Sequence, residues 1–447
     1  MLMELSAVAQ KWTARHVVRL GLGERLELLA HRQARHQAIR SPERISRWQL
    51  EAFNKIWPAA RQRYRFYADW QRRHGLPDNI RNLAELADFP VLRNKDIEDH
   101  FASIAADAAP CSFVHTGGST GRPRRFPRGN EDDLLLYANM YLGRSWARIK
   151  PGDPIALIWS HEHLFGLGVM GYFNFAKRHV KDWLIGTRRF SAYSLNDESV
   201  ATYFEKIRAV PGTVVIGYAS CIRKLLDYIE RSGIDGASAR IRAVIFCAET
   251  VFPTDLDRVR RLLAALPLIE YGMQETGVMG YSRPESGDVT FLWDAYACRV
   301  IDDQELVITT LVPVRFPLIN YGTEDRVEPL EGIAPLPFRC ARVLGRTRDI
   351  LTLVMRGGKL VDTHSDIFFD TLSVDEGVRS FFIHQKGQKI DVAVVAPSRE
   401  DLKRIEGRFF REIAREFPDF DRSTISFSFL KNEPYTVAGK RRYLLRE

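Results

Sequence analysis

The chain has 447 residues, of which 45% are hydrophobic and 27% charged, with a formal net charge of +9. That balance excludes a wholly disordered chain and leaves room for two or three domains. The basic residues are scattered, with only short clusters such as RPRRFPR (122–128) and KRRYLLR (440–446), so a nucleic-acid-reading stripe is not expected.

Residues 1–100 read as helices, with aromatics, Leu and Ile recurring among Arg and Gln as in 47–73. Pro90 and the run 88–101 mark a loop followed by a new helix. From about residue 110, short apolar runs alternate with amphipathic segments. Runs 154–160, 213–220, 242–250 and 267–275 are each apolar and end in polar or small residues, as parallel strands covered on both faces do. Between them, 222–233 reads as a helix closing on Gly233. Strand–helix alternation predicts an α/β layered fold with ligands at the carboxyl ends of the strands. Ser160-His161, Glu249-Thr250 and Gln274-Glu275 would then share one rim.

Residues 300–345 alternate and carry prolines, which predicts antiparallel β-structure. A small terminal domain is expected after Gly345. It contains a helix over 399–417 with a capping-box-like start at Ser398 and Asp401, and an apolar face of Leu402, Ile405, Phe409, Ile413 and Phe417. Cysteines 111, 221, 247, 298 and 340 have no CxxC spacing and read as buried thiols of a reducing compartment. The N-terminus lacks a signal-peptide core and no stretch reaches membrane-spanning length, so a cytoplasmic location is expected.

Four segments carry chemistry. HTGGSTGRPRRF (115–126) packs three glycines, two threonines and a serine into six residues ahead of two arginines. Its amides and hydroxyls suit phosphate oxygens, with Arg124 or Arg125 to neutralise charge. It is not the GxxxxGK[ST] phosphate loop, and a flexible polar loop is an equal reading. In EYGMQETGVMG (270–280), Glu275 follows an apolar strand and suits Mg2+, which binds through one or two carboxylates plus phosphate oxygens; a solvated acid is the plainer reading. In NYGTEDRV (320–327) and GRTRDIL (345–351), Asp325 and Arg346 together suit a ribose diol; a surface turn with an ion pair is the alternative. In PYTVAGKRR (434–442), Lys440 can bring positive charge to a reaction centre, or belong to a basic tail.

In this order and spacing the four segments resemble the adenylate-forming superfamily of acyl-CoA synthetases, peptide-synthetase adenylation domains and luciferases. The first resembles the family's TSGSTGKPK, with Arg124 in place of lysine; YGMQE resembles its YGxTE; YGTED and GRTRD resemble its YRTGD and GRxDD; PYTVAGK has its PKTxxGK spacing. RYRFYADW (63–70), FPVLRNKDI (89–97) and FCAETVFP (246–253) resemble the phenylacetate–CoA ligase branch, which includes capsule-biosynthesis relatives. The likeness covers roughly 50–447; the first ~45 residues have no clear counterpart.

The resemblance implies an acyl-CoA synthetase-like fold: a helical lead-in (1–109), a large multi-layer core (110–345) and a small mobile α+β C-terminal lid (346–447). It implies ATP and Mg2+ as cofactors and formation of an acyl-adenylate from a small carboxylic acid. The acceptor would be CoA, or alternatively a carrier protein or an amine. Thr116, Gly117, Gly118, Ser119, Thr120 and Gly121 would wrap the β- and γ-phosphates, with Arg124 beside them. Tyr271 and Gly272, with Ala248 and Glu249, would form the adenine slot, and Asp325 and Arg346 would bind the ribose. Glu275 would hold Mg2+, and Lys440 would bridge carboxylate and α-phosphate. The acid pocket would lie among Trp159, His161, His163, Phe165, Tyr218, Ala219 and Met273; His161 is the first pocket candidate, although a satisfied core or loop histidine is the plainer reading for both histidines. Arg348 stands where the family often has a hinge aspartate, and RGGKLV (356–361) resembles its RGxxV turn without establishing CoA binding. A non-catalytic nucleotide-binding relative and a basic nucleic-acid binder are the rival classes. No nucleic-acid partner is expected, and the oligomeric state stays open, a homodimer included.

Overall fold

The computed structural model describes residues 23–116, 124–159, 182, 185–192, 197–330, 336–346, 350–364, 368, 371–372, 375, 377–378, 380–396, 398–430 and 444–446. Residues cluster into two compact units, Met1–Ala248 with Val259–Val343 and Glu249–Arg258 with Leu344–Glu447.

The first unit opens with helices α1 (Gly23–Ala38), α2 (Pro42–Arg63) and α3 (Arg65–His74). Ser41 caps α2, its hydroxyl accepting from the Arg44 amide at 3.3 Å, with Pro42 at the first helical position. The aromatics that make this stretch look helical become a buried cluster of Phe53, Trp57, Tyr64, Tyr67 and Phe89. Tyr67 also donates to the Pro317 carbonyl at 2.5 Å, tying α3 to the antiparallel half of the sheet. The loop at Pro90 is held by Asn320, whose side-chain amide donates to the Phe89 and Pro90 carbonyls at 2.6 and 3.1 Å. Helices α4 (Asn94–Asp99) and α5 (Phe101–Ala108) follow, as the sequence predicts.

Strands β1 (Ser112–Thr116) and β2 (Arg124–Arg128) form a separate hairpin, and α6 (Asn130–Trp146) comes next. Then come β3 (Ile155–Trp159), β4 (Thr187–Ser191), α7 (Asp197–Arg208), β5 (Val214–Tyr218), α8 (Ala219–Ser232), β6 (Ala243–Cys247), α9 (Pro253–Leu263) and β7 (Leu266–Met273). Gly233 closes α8 with φ +61°, the left-handed cap expected there. The antiparallel strands are β8 (Gly277–Ser282), β9 (Val289–Phe291), β10 (Tyr296–Val300), β11 (Glu305–Thr310), β12 (Tyr321–Pro329) and β13 (Arg339–Arg346).

These strands make one eleven-stranded sheet in the order β10-β11-β12-β13-β9-β8-β7-β6-β5-β3-β4. Strands β4, β3, β5, β6 and β7 are mutually parallel, and β7 pairs antiparallel with β8, so β7 is the seam between the two halves. The four apolar runs are thus parallel neighbours; β5 and β6 are buried throughout, whereas β3 and β7 are buried only in part. Helix α6 lies against β8 so closely that a Cβ on Gly143 would come 1.8 Å from the Tyr281 ring.

The second unit holds the hairpin β14 (Ile350–Val354) and β15 (Leu360–His364). It also holds the four-stranded sheet of β16 (Ser380–Lys386), β17 (Lys389–Val395), β18 (Ile425–Phe429) and β19 (Leu444–Arg446). Helix α10 (Arg399–Glu416) packs on that sheet through Ile405, Phe409, Phe410 and Ile413. Ser398 accepts from the Asp401 amide at 3.1 Å, while its hydroxyl donates to the Asp401 carboxylate at 2.7 Å. Cys221, Cys247 and Cys340 are buried as expected; Cys111 and Cys298 are only half-buried, which corrects the reading of five buried thiols. Among the described residues no helix is long and apolar enough to cross a membrane.

Candidate active site

The glycine-rich segment joins β1 to β2, whose register pairs Thr116 with Arg124. Gly117, Gly118, Ser119, Thr120 and Gly121 lie outside the described residues, and the side chains of Thr116 and Arg124 lie outside them as well. Arg125 stacks its guanidinium on Phe101, 4.0 Å from the ring centroid, a cation–π contact at the hairpin's flank.

Glu275 does not end a strand as the sequence suggests. Strand β7 stops at Met273, and Gln274, Glu275 and Thr276 form a three-residue turn into β8. Gly277 closes the turn with φ +70°, the left-handed position such a hairpin needs. Two residues before the turn the ladder bulges between Tyr271 and Gly272. A Cβ on Gly272 would lie 2.4 Å from the Gly277 carbonyl, so the two strands can approach only over glycine.

The single Tyr321 hydroxyl proton has two acceptors in reach, Glu275 Oε1 at 3.0 Å and Asn94 Oδ1 at 2.6 Å, so the phenol ties the acidic turn to α4. Glu275 faces a recess shared with Val114 of β1 and with Arg128, Asp132, Gln274 and Tyr296. The base of the glycine-rich hairpin and the acidic turn therefore line one recess.

That donor set fits Mg2+. The Glu275 and Asp132 carboxylates both line the recess beside the base of the β1–β2 hairpin, and Asp132 Oδ2 already accepts from the Gly129 and Arg315 amides, which leaves Glu275 as the carboxylate for a cation. Mg2+ is characteristically held by few protein carboxylates, with substrate phosphates and water filling its octahedron.

Tyr271 and Asp325 come together from 54 residues apart, the phenol donating to Asp325 Oδ2 at 2.8 Å. Burial first, and the Asp325 charge second, push the Tyr271 hydroxyl well above its ordinary value, so it remains a donor. Its ring packs on Phe291 at 5.5 Å. Asp325 stands on an irregularity of β12: Glu305 pairs with Arg326 but Val307 with Gly322, so extra residues loop out opposite Leu306. Glu324 adopts φ +62° there, and Thr323 Oγ1 accepts from the Asp325 amide at 3.1 Å.

Trp159 and Tyr218 end β3 and β5 side by side, ring centroids 4.2 Å apart. Ala219 begins α8 directly after Tyr218. Ala248 follows β6 with φ +63°, a strained conformation for a residue with a Cβ. Met273 pairs with Gly277 across the turn. Trp159, Tyr218, Ala248, Tyr271 and Met273 thus stand at or near the carboxyl ends of neighbouring strands; of the rim residues expected from the sequence, Ser160 and His161 lie outside the described residues and Glu249 and Thr250 belong to the second unit. Arg346 ends β13, its side chain outside the described residues, and His161, His163, Phe165, Arg348 and Lys440 lie outside them entirely.

No family model matches the chain. It is 24% identical over 420 residues to a phenylacetate–coenzyme A ligase of Pseudomonas putida, covering 81% of this chain and 90% of the other. To the enzyme of the same name from Aromatoleum evansii it is 24% identical over 307 residues, 64% of this chain and 66% of that one, so this match spans about two thirds of the relative. The chain is thus similar, at 24% identity, to phenylacetate–coenzyme A ligases. Its fold is that of acyl-CoA synthetases. A 2-hydroxyisobutyryl-CoA ligase in the postadenylation state, bound to an acyl-AMP, superposes with TM-score 0.69 at 15% identity over 89% of each chain. The motif readings assigned roles to Glu275 and Asp325 but none to Tyr321 and Asn94, although Tyr321 is the first residue of YGTED and Asn94 lies within LRNKD.

Proposed function

We propose that this protein activates a carboxylic acid with ATP, forming an acyl-adenylate and releasing pyrophosphate, and then passes the acyl group to the thiol of CoA. The observation that carries this reading is the Glu275 carboxylate, oriented by Tyr321 in a recess it shares with the base of the glycine-rich hairpin.

In the first step a substrate carboxylate oxygen attacks the α-phosphorus in line, and the bond to the β-phosphate bridging oxygen breaks as pyrophosphate leaves. Mg2+ at Glu275 would supply neutralisation of the charge that gathers on the phosphate oxygens. Asp325, with Tyr271 donating to it, accepts from ribose hydroxyls and so orients the nucleotide. The amides and hydroxyls of Thr116–Gly121 and the guanidinium of Arg124 bind the β- and γ-phosphates. Lys440 bridges the two anions, which otherwise repel each other. In the second step the CoA thiolate attacks the acyl carbon and AMP leaves. The Trp159–Tyr218 pair supports an aryl or arylalkyl acid, whose ring would lie against theirs.

ATP–pyrophosphate exchange with a panel of aryl, arylalkyl and aliphatic acids tests activation. CoA added to the acids that score tests the acceptor; an adenylate that persists with CoA but is consumed by an amine or a carrier protein reassigns the second step. Lys440→Ala should lower exchange by orders of magnitude while ATP binding, measured by calorimetry, stays within a few-fold. Unchanged exchange would remove Lys440 from the chemistry.

A further inference from the structure

The Glu275 turn is gripped from beneath by side chains that no family motif contains. The Thr276 carbonyl accepts from Tyr296 Oη at 2.8 Å, and the Val278 carbonyl accepts from Asn139 Nδ2 at 2.8 Å. Asn139 Oδ1 in turn accepts from Arg32 Nη1, whose Nε and Nη2 donate to Asp294 at 2.8 and 2.5 Å. Arg32, Asn139, Asp294 and Tyr296 are each 2% exposed or less. Asn139 Nδ2 also comes within 3.5 Å of Tyr296 Oη, so the buried contacts run from helix α1 through Asn139 of α6 to Val278 and, by way of Tyr296 of β10, to Thr276.

Buried ion pairs add little net stability over well-packed apolar residues of the same volume, because removing two charges from water costs about as much as their attraction returns. What such a network does supply is a single geometry. A three-residue turn with a left-handed glycine has its own freedom, and Mg2+ demands near-octahedral placement of its ligands.

We infer that Tyr296 and Asn139, held by the Arg32–Asp294 pair, are positioning residues that set the Glu275 carboxylate for Mg2+. Helix α1, in the part of the chain with no clear family counterpart, is thereby part of the active-site scaffold. The inference rests on the reading of Glu275 as the metal-bearing carboxylate.

Three variants test it: Tyr296→Phe, which removes one oxygen; Asn139→Asp, which keeps the acceptor for Arg32 and loses the donor to Val278; and Glu275→Gln. Three readouts are taken: the Mg2+ concentration giving half-maximal exchange, ATP affinity by calorimetry with Mg2+ and with EDTA, and hydrogen exchange of the 271–278 amides in the ligand-free protein. Tyr296→Phe and Asn139→Asp should each raise the Mg2+ requirement about 5- to 10-fold, as loss of one hydrogen bond on a positioned group predicts. They should also speed amide exchange in the turn, leaving ATP affinity in EDTA and the KM for the acid unchanged. A purely structural role would lower the melting temperature and move none of these selectively. If Glu275→Gln raises the Mg2+ requirement and neither of the other two does, the positioning role is wrong. If Glu275→Gln leaves the requirement unchanged, the assignment of Glu275 falls and takes this inference with it.

Discussion

Arg32→Met tests the buried network where its energetics are largest. Arg32 and Asp294 have side chains 1% and 0% exposed, joined at 2.5 Å, so the substitution leaves a carboxylate in the interior without its main partner. Removing one member of a buried pair costs about 3–5 kcal/mol. Arg35, 3.3 Å from Asp294 and a third exposed, and His36 at 2.9 Å remain, which places the expected loss near the lower end, about 3 kcal/mol. Burial alone would push the Asp294 carboxyl up; the charge and hydrogen bonds of Arg32, with those of His36, outweigh it and hold the carboxyl well below the usual range. A carboxyl depressed in the folded state stabilises above the unfolded value, about 3.9 for aspartate, and that contribution is lost as pH falls below it. The gap between the parent protein and Arg32→Met should be full at neutral pH, be narrowing by the time pH reaches about 4, and go on closing as pH falls towards the depressed folded-state value of Asp294. Urea unfolding followed by tryptophan fluorescence, with Trp293 stacked on His36 beside the pair, reads it directly. A gap under about 1 kcal/mol at neutral pH, or one that stays constant into acid, would refute the account of a buried, charged Asp294.

Two glycines give sharper steric predictions. Gly272→Ala drives a Cβ to 2.4 Å from the Gly277 carbonyl and 2.8 Å from Val278 Cα, backbone that yields only by opening the Glu275 turn. A loss of about 1–3 kcal/mol is expected, with a fall of tenfold or more in pyrophosphate exchange; a variant melting and exchanging like the parent would contradict it. Gly143→Ala should gain about 1 kcal/mol in helix propensity yet destabilise overall, since its Cβ would sit inside the Tyr281 ring. A rise in melting temperature would show that α6 is not packed on β8 as closely as described.

Much of the scaffold was legible in the chain order. The parallel strands β5 and β6 announce themselves because strands buried on both faces need unbroken apolar runs. Gly233 and Ser398 announce helix ends because capping is chemistry within a few residues of the end it serves. Nothing in the composition of 267–275 marks the point where β7 stops at Met273; the left-handed Gly277, which lets β8 fold straight back, shows only in three dimensions.

The sequence by itself determined which chemical groups are present and which short segments display them: a glycine-rich loop, an acid closing the apolar run 267–275, an aspartate in YGTED and a lysine near the C-terminus. These depend on neighbours in the chain, and backbone preferences act over that range. Only the tertiary structure decided how the groups are held. Tyr321 reaches Glu275 across 46 residues, Tyr271 reaches Asp325 across 54, and Arg32 meets Asp294 across 262. A polar side chain carries no local mark of its distant partner. Its partner is set by the tertiary fold, which brings side chains of β12 and β10, four and six strands away in the sheet, to the turn after β7, and by the cost of burying any of these groups alone.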